Sequence, residues 1–161
     1  MKMGVMVKRN EALFSAILPR AMELIIRDEC AGVDWRQVAA ILRAVGMGVY
    51  APEEHQKAFA ASQARVFVYV DGRLTGFGRA ISDGVYQAAL YDCAVAPSHQ
   101  GQGIGRTIVE RLLAQVAGCN VILYASPGKE GFYERLGFSR MKTGMALFKN
   151  KDAMRQRGFI E

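Results

Sequence analysis

The chain predicts a mixed α/β domain, and three observations carry that reading. Two strand-like runs meet at Asp71-Gly72, a dipeptide that tolerates the positive φ angles of a tight hairpin turn. A continuous apolar run, an amphipathic helix and a second apolar run then follow, which is a βαβ crossover. At 161 residues, 51% hydrophobic and 22% charged, the chain suits one compact domain, residues 1–161, with a real core.

Residues 1–20 are an N-terminal extension to which the pattern assigns no element. Met22 to Arg27 reads as a first strand, because it is short, β-branched and followed by a turn-rich stretch. Asp34 is placed to cap a helix whose apolar residues recur at Val38, Ile41, Leu42 and Val45, and Gly46 and Gly48 end it. A second helix starts near Pro52, with Glu53 and Glu54 in its first turn. Arg65–Val70 and Arg73–Ala80 form the hairpin. Gln87–Val95 is apolar at nearly every position, as a strand covered on both faces should be, and Asp92 is its only charge.

Ile108, Val109, Leu112, Leu113 and Val116 mark one helix face, with Gly118 placed as its C-cap. Val121–Tyr124 is the second buried strand. A short helix over Lys129–Leu136 closes at Gly137, and Met145–Lys149 is expected to form a terminal strand.

No apolar stretch approaches the roughly 18 residues a membrane helix needs, and Lys8 and Arg9 interrupt any signal-peptide core. Cys30, Cys93 and Cys119 share no metal-ligand spacing and cannot all pair, so no metal is expected and a reducing, cytoplasmic setting fits. The formal charge is +6, and residues 101–161 carry 10 basic against 5 acidic side chains. That half attracts anions or is simply a solvated cationic face. The basic residues are scattered without an aromatic-rich recognition motif, so nucleic acid is not an expected partner.

The most informative segment is Pro97 to Arg106, PSHQGQGIGR, between the buried strand and the helix. Glycines at 101, 103 and 105 let main-chain amides approach a ligand, and the helix adds its unpaired amides and positive dipole end. An anion is the natural guest. A dinucleotide fingerprint fails because Arg106 stands where a small residue is needed, and a Walker loop fails because Gly105 is not followed by Lys. A glycine-rich turn that merely eases the chain into its helix would need only one such glycine.

Gln100-x-x-Gly103-x-Gly105, preceded by Val95-x-Pro97, and the later Phe132-Tyr133-Glu134-Arg135-Leu136-Gly137-Phe138 resemble the two signature motifs of the GNAT N-acetyltransferase family. The resemblance covers roughly Met22 to Phe148, and Gly76 to Gly105 is similar to the plastid and bacterial arylalkylamine, or serotonin, acetyltransferases. It implies a mostly antiparallel mixed sheet with one splayed parallel strand pair, flanked by helices. It also implies acetyl-CoA in the gap of that pair, as cosubstrate, and direct acetyl transfer to a primary amine of a small molecule. Transfer to a protein N-terminus or lysine, or silent acyl-CoA binding, are the alternatives. The oligomeric state stays open, a homodimer being one outcome.

Carried onto this sequence, the resemblance puts pyrophosphate on the amides around Gly101, Gly103, Gly105 and Arg106, flanked by Gln100 and Gln102. Main-chain groups of Cys93 and Val95 would meet the pantetheine arm. Ser126 stands where many relatives have a cofactor-contacting Asn, and either donates one hydrogen bond or opens a turn with Pro127. Tyr133 matches the tyrosine that meets the departing sulfur. Reference values of about 10 for a phenol and about 8.5 for a thiol make full proton transfer uphill by about 2 kcal/mol, so a hydrogen-bond donor is expected first. The other reading is a packed aromatic.

For an alkylamine of pKa about 10.4, the free base at pH 7 costs about 4.6 kcal/mol, so a base or water chain is useful. The position matching the glutamate of histone-acetylating relatives is Ala89. Asp92 is then the nearest candidate, although strand alternation turns it away unless a bulge rotates it; otherwise it is a structural carboxylate. Tyr91 either lines the acceptor pocket or packs as an ordinary tyrosine. His55 and His99 are expected at the surface, His99 within approach of the cofactor phosphates, and Cys93 as inert packing.

Overall fold

A computed structural model of the chain describes residues 23–48 and 50–161. The five-stranded sheet runs in the order β1 (Leu24–Arg27), β2 (Ala64–Val70), β3 (Arg73–Ser82), β4 (Gln87–Val95), β5 (Asn120–Ile122). All neighbours are antiparallel except β4 and β5, which are parallel. The first strand begins at Leu24, and the expectation for Met22 and residues 1–20 lies outside the described residues.

Local chemistry accounts for most of the elements. The Asp34 carboxylate accepts from the Arg36 amide at 3.0 Å and caps α1 (Trp35–Ala44). Ahead of α2 (Pro52–Ala60), the Glu54 carboxylate reaches back to the Ala51 amide at 2.8 Å. The hairpin between β2 and β3 turns on Asp71 at φ +47° and Gly72 at φ +76°, the two positive angles that the dipeptide predicts.

Helices α1 and α2 cover one face of the sheet through the fully buried Val38, Leu42, Phe59, Phe67 and Phe77. Trp35 and the three phenylalanines pack edge-on or tilted at centroid distances of 5.4 to 5.8 Å. Helix α3 (Ile104–Gln115) covers the other face with Ile108, Val109 and Leu112. It can approach only because β3 carries Gly76 and Gly78. A Cβ on Gly78 would lie 2.8 Å from Ile108 and 2.9 Å from the Cys93 sulfur. No helix among the described residues is long and apolar enough to cross a membrane.

Three expectations change. The second strand of the crossover stops at Ile122, and the short helix α4 spans only Glu130–Glu134. The terminal strand at Met145–Lys149 does not form. Met145 is 99% and Leu147 90% exposed, so the run has no apolar face to bury, and β5 closes the sheet with its outer edge unpaired among the described residues. In its place a final helix, α5 (Lys151–Gln156), is capped by the Asn150 side chain, which accepts from the Ala153 amide at 3.0 Å.

Candidate active site

β4 and β5 pair only over Gln87–Ala89 and Asn120–Ile122, whereas β4 continues to Val95. From residue 90 onward the two chains diverge, which leaves an unpaired β4 edge beside a gap. Part of the cause lies in β4 itself. Phe77 pairs with Ala94 and Arg79 with Tyr91, so Asp92 and Cys93 together stand opposite Gly78 as a β-bulge, and Asp92 takes φ +52°. The extra residue sends Cys93 toward α3, where it packs in the core with Ile108 and Leu112.

Asp92 turns to the α2 side. Its carboxylate accepts from Arg79 Nε at 2.6 Å, and the two side chains are 25% and 14% exposed. The Arg79 guanidinium lies over the rings of Phe59 at 5.8 Å and Tyr91 at 5.3 Å, and also donates to the Ser62 hydroxyl at 3.3 Å. The bulge therefore does rotate Asp92, and an internal ion pair takes up one of its oxygens. Arg79 carried no signal in the sequence beyond being one of many arginines.

Above the gap, a 3-10 turn at Pro97–His99 leads into the glycine loop. Gly101 at φ +76° and Gly103 at φ +84° set the loop's curvature, and Gly103 is the N-cap of α3. None of the amides from Gly101 to Arg106 donates to an acceptor among the described residues. Six successive main-chain donors at the start of a 12-residue helix are thus without partners among the described residues, which fits a bound anion. Gln100 donates through its side chain to the Val95 carbonyl at 3.0 Å and Gln102 to the Ser98 carbonyl at 3.4 Å, so both glutamines brace the loop. The Arg106 side chain pairs with Glu110 on the exposed helix face at 3.1 Å. Gly105 has a different use: a Cβ there would lie 3.4 Å from the Phe132 ring, so its absence lets Phe132 sit against the helix.

Ala96 donates to the Thr75 carbonyl at 2.7 Å, and alternation therefore turns the Val95 main-chain groups away from β3 and into the gap. Ser126 accepts from the Lys129 amide at 2.9 Å and so opens a turn, while its hydroxyl bonds to no described residue. His55, expected at the surface, is only 4% exposed. It is drawn inward on the α2 face that also buries Phe59, its Nε2 without a partner, and its ring packs edge-on to Tyr50 at 6.0 Å. His99 is half-buried and shares a hydrogen bond with Ser98 at 2.8 Å.

Below the loop, Tyr133 on α4 packs edge-on to Phe132 at 4.9 Å and Phe138 at 5.8 Å. Burial, and then the nearby Cys93, raise its phenol well above the usual value. Burial, and then Asp92, push the Cys93 thiol up to about 12, which makes it an unreactive neutral group. On the opposite side of the gap the Tyr91 ring meets Tyr124 at 6.0 Å, and Phe148 and Phe159 pack edge-on to Tyr124 at 5.7 and 5.8 Å. The sequence placed Tyr124 and Phe148 in expected strands and Phe159 in no element, and gave none of the three a site role; the structure leaves all three in segments without regular structure. One cleft of about 1110 Å³ connects Tyr91, Tyr124 and Phe159 with Tyr133.

A mixed sheet with one splayed parallel pair beneath a glycine-rich helix start defines an α/β architecture with one strand edge left open. Residues 62–140 match the acetyltransferase (GNAT) domain. The chain is 43% identical over 86 residues to serotonin N-acetyltransferase 2, chloroplastic, of Oryza sativa subsp. japonica, covering 50% of this chain and 43% of the relative. It is 34% identical over 119 residues to GCN5-related N-acetyltransferase 1, chloroplastic, of Arabidopsis thaliana, covering 71% of this chain and 60% of the relative. The chain thus spans about half the length of these relatives. Among solved structures, a probable acetyltransferase from methicillin-resistant Staphylococcus aureus superposes with a TM-score of 0.70 at 25% identity, covering 80% of this chain and 100% of that one. N-acetylglutamate synthase from Neisseria gonorrhoeae, complexed with coenzyme A and L-arginine, shares the fold with a TM-score of 0.58 at 20% identity, over 70% of this chain and 26% of that one. The protein belongs to the GNAT family.

The cytoplasmic setting is overturned by the same comparison, because both plant relatives are named chloroplastic. The three free thiols do not decide the compartment.

Proposed function

We propose that the protein transfers the acetyl group of acetyl-CoA directly to a primary amine of a small molecule. The observation that carries this reading is the gap between β4 and β5, beside six amides at residues 101–106 that have no partner among the described residues. Those amides would hold the pyrophosphate, and the Val95 main chain, facing the gap, would pair with the pantetheine arm. A hydrogen-bond donor on that edge favours the negative charge that gathers on the thioester oxygen during attack.

Tyr133 stands at the sulfur end. Because burial makes its phenol a weaker acid still, its role is to donate a hydrogen bond to the departing thiolate rather than to surrender its proton. On the other side, Tyr91 and Tyr124 form the acceptor wall, and Asp92 keeps one carboxylate oxygen free of hydrogen bonds to described residues. That oxygen would hold the incoming ammonium and draw its proton toward solvent. Ala89 lies within the last paired stretch of β4 and offers no carboxylate, so the only acid that this strand supplies is Asp92.

The test is calorimetric titration with acetyl-CoA, followed by measurement of free-thiol release with tryptamine, a polyamine and a peptide amine at equal concentration. Binding and amine-dependent thiol release are expected, and absence of both would reject the reading. Tyr133→Phe should lower kcat while leaving acetyl-CoA affinity within about twofold. Unchanged turnover would refute the role given to the hydroxyl.

A further inference from the structure

We infer that the C-terminal segment Arg157–Phe159 is a strap that closes the acceptor end of the cleft and limits acceptor size; this rests on the acetyl-transfer reading. Helix α5 buries none of its own residues, so its packing alone does not explain its place. What it does is aim the chain that follows. Gly158 at φ +77° ends the helix in a Schellman turn, with Gly158 donating to the Arg155 carbonyl at 2.9 Å and Phe159 to the Met154 carbonyl at 3.0 Å. The reversal sends the Phe159 ring back onto Tyr124.

Two contacts of Arg157 hold this return. The Arg157 guanidinium donates to the Gly46 carbonyl at 2.9 Å, just beyond the C-terminus of α1, and lies 5.0 Å over the Phe159 ring. A Cβ on Gly158 would stand 3.6 Å from Pro127, so the turn lies close beside the segment that follows β5. The strap thus bridges the α1–α2 connection and the β5 side of the gap. With Phe148 it completes an edge-on ring wall around Tyr124, which is still half exposed to the cleft. Such a wall accepts a flat, apolar group carrying the amine and blocks a polypeptide backbone.

The experiment compares the wild type with Phe159→Ala and Arg157→Gln, each checked for folding by its thermal melt. Tryptamine binding and acetyl-CoA binding are measured separately by calorimetry, and turnover is compared for tryptamine and for a short peptide with a free α-amine. Both variants should weaken tryptamine binding, Phe159→Ala by about tenfold, leave acetyl-CoA binding unchanged, and shift kcat/KM toward the peptide. Equal tryptamine binding in all three proteins, including none in any of them, overturns the strap. Failure of the wild type to bind acetyl-CoA overturns the acetyl-transfer reading instead, and is seen in a separate titration.

Discussion

Removing the Arg79 guanidinium should cost more stability than its single ion pair suggests. The group donates to Asp92 at 2.6 Å and lies over two aromatic rings, with its side chain only 14% exposed. A hydrogen bond between charged groups contributes about 1.5–3 kcal/mol, and each cation–π contact about 0.5–1 kcal/mol. Arg79→Met, which keeps volume, therefore loses about 3 kcal/mol. Asp92→Asn should lose about 2 kcal/mol, since Asn tolerates the positive φ and still accepts a hydrogen bond. The double variant should lose less than the sum by about 1.5 kcal/mol, because each single change leaves the other charge half-buried without a partner. Arg79→Lys should not restore the loss, because an ammonium neither donates from Nε nor stacks as a plane. Urea unfolding monitored at constant m-value measures all four. Additivity within about 0.5 kcal/mol would refute the coupling between the two side chains.

Gly78→Ala places a methyl 2.8 Å from Ile108 and 3.0 Å from Leu112, so about 1–3 kcal/mol of stability should be lost in chemical denaturation; an unchanged midpoint would contradict the close helix–sheet approach. Gly103→Val puts a β-branched residue at φ +84°, and acetyl-CoA affinity measured by calorimetry should fall at least tenfold as the loop changes shape. Cys93 stays protonated in the folded state up to about pH 12, whereas in the unfolded chain it ionises near its ordinary value of about 8.5. Its contribution is complete below that lower value. It is then lost as pH rises, by up to about 1.4 kcal/mol per unit, so the stability of the wild type should fall more steeply between pH 9 and 11 than that of Cys93→Ala. Parallel curves would refute the burial of the thiol.

Short-range chemistry made much of this protein legible from its residues alone. The Asp71-Gly72 turn, the Asp34 cap and the glycine loop each depend on groups a few positions apart, and the structure has them where the spacing puts them. The paired motifs around Gly103 and Tyr133 pointed to the family for the same reason, since each is one compact stretch of chain. Long-range competition decided the rest. Met145–Lys149 has strand composition but no strand, because forming one requires a partner and a surface to bury against, and neither is a property of those five residues. Asp92 could be assigned a direction only once the register of β3 against β4 was known, because one extra residue reverses every side chain beyond it. The aromatic wall of Tyr91, Tyr124, Phe148 and Phe159 joins positions up to 68 apart. Only the folded chain brings them together, because no local pattern ties an irregular tail to a strand edge.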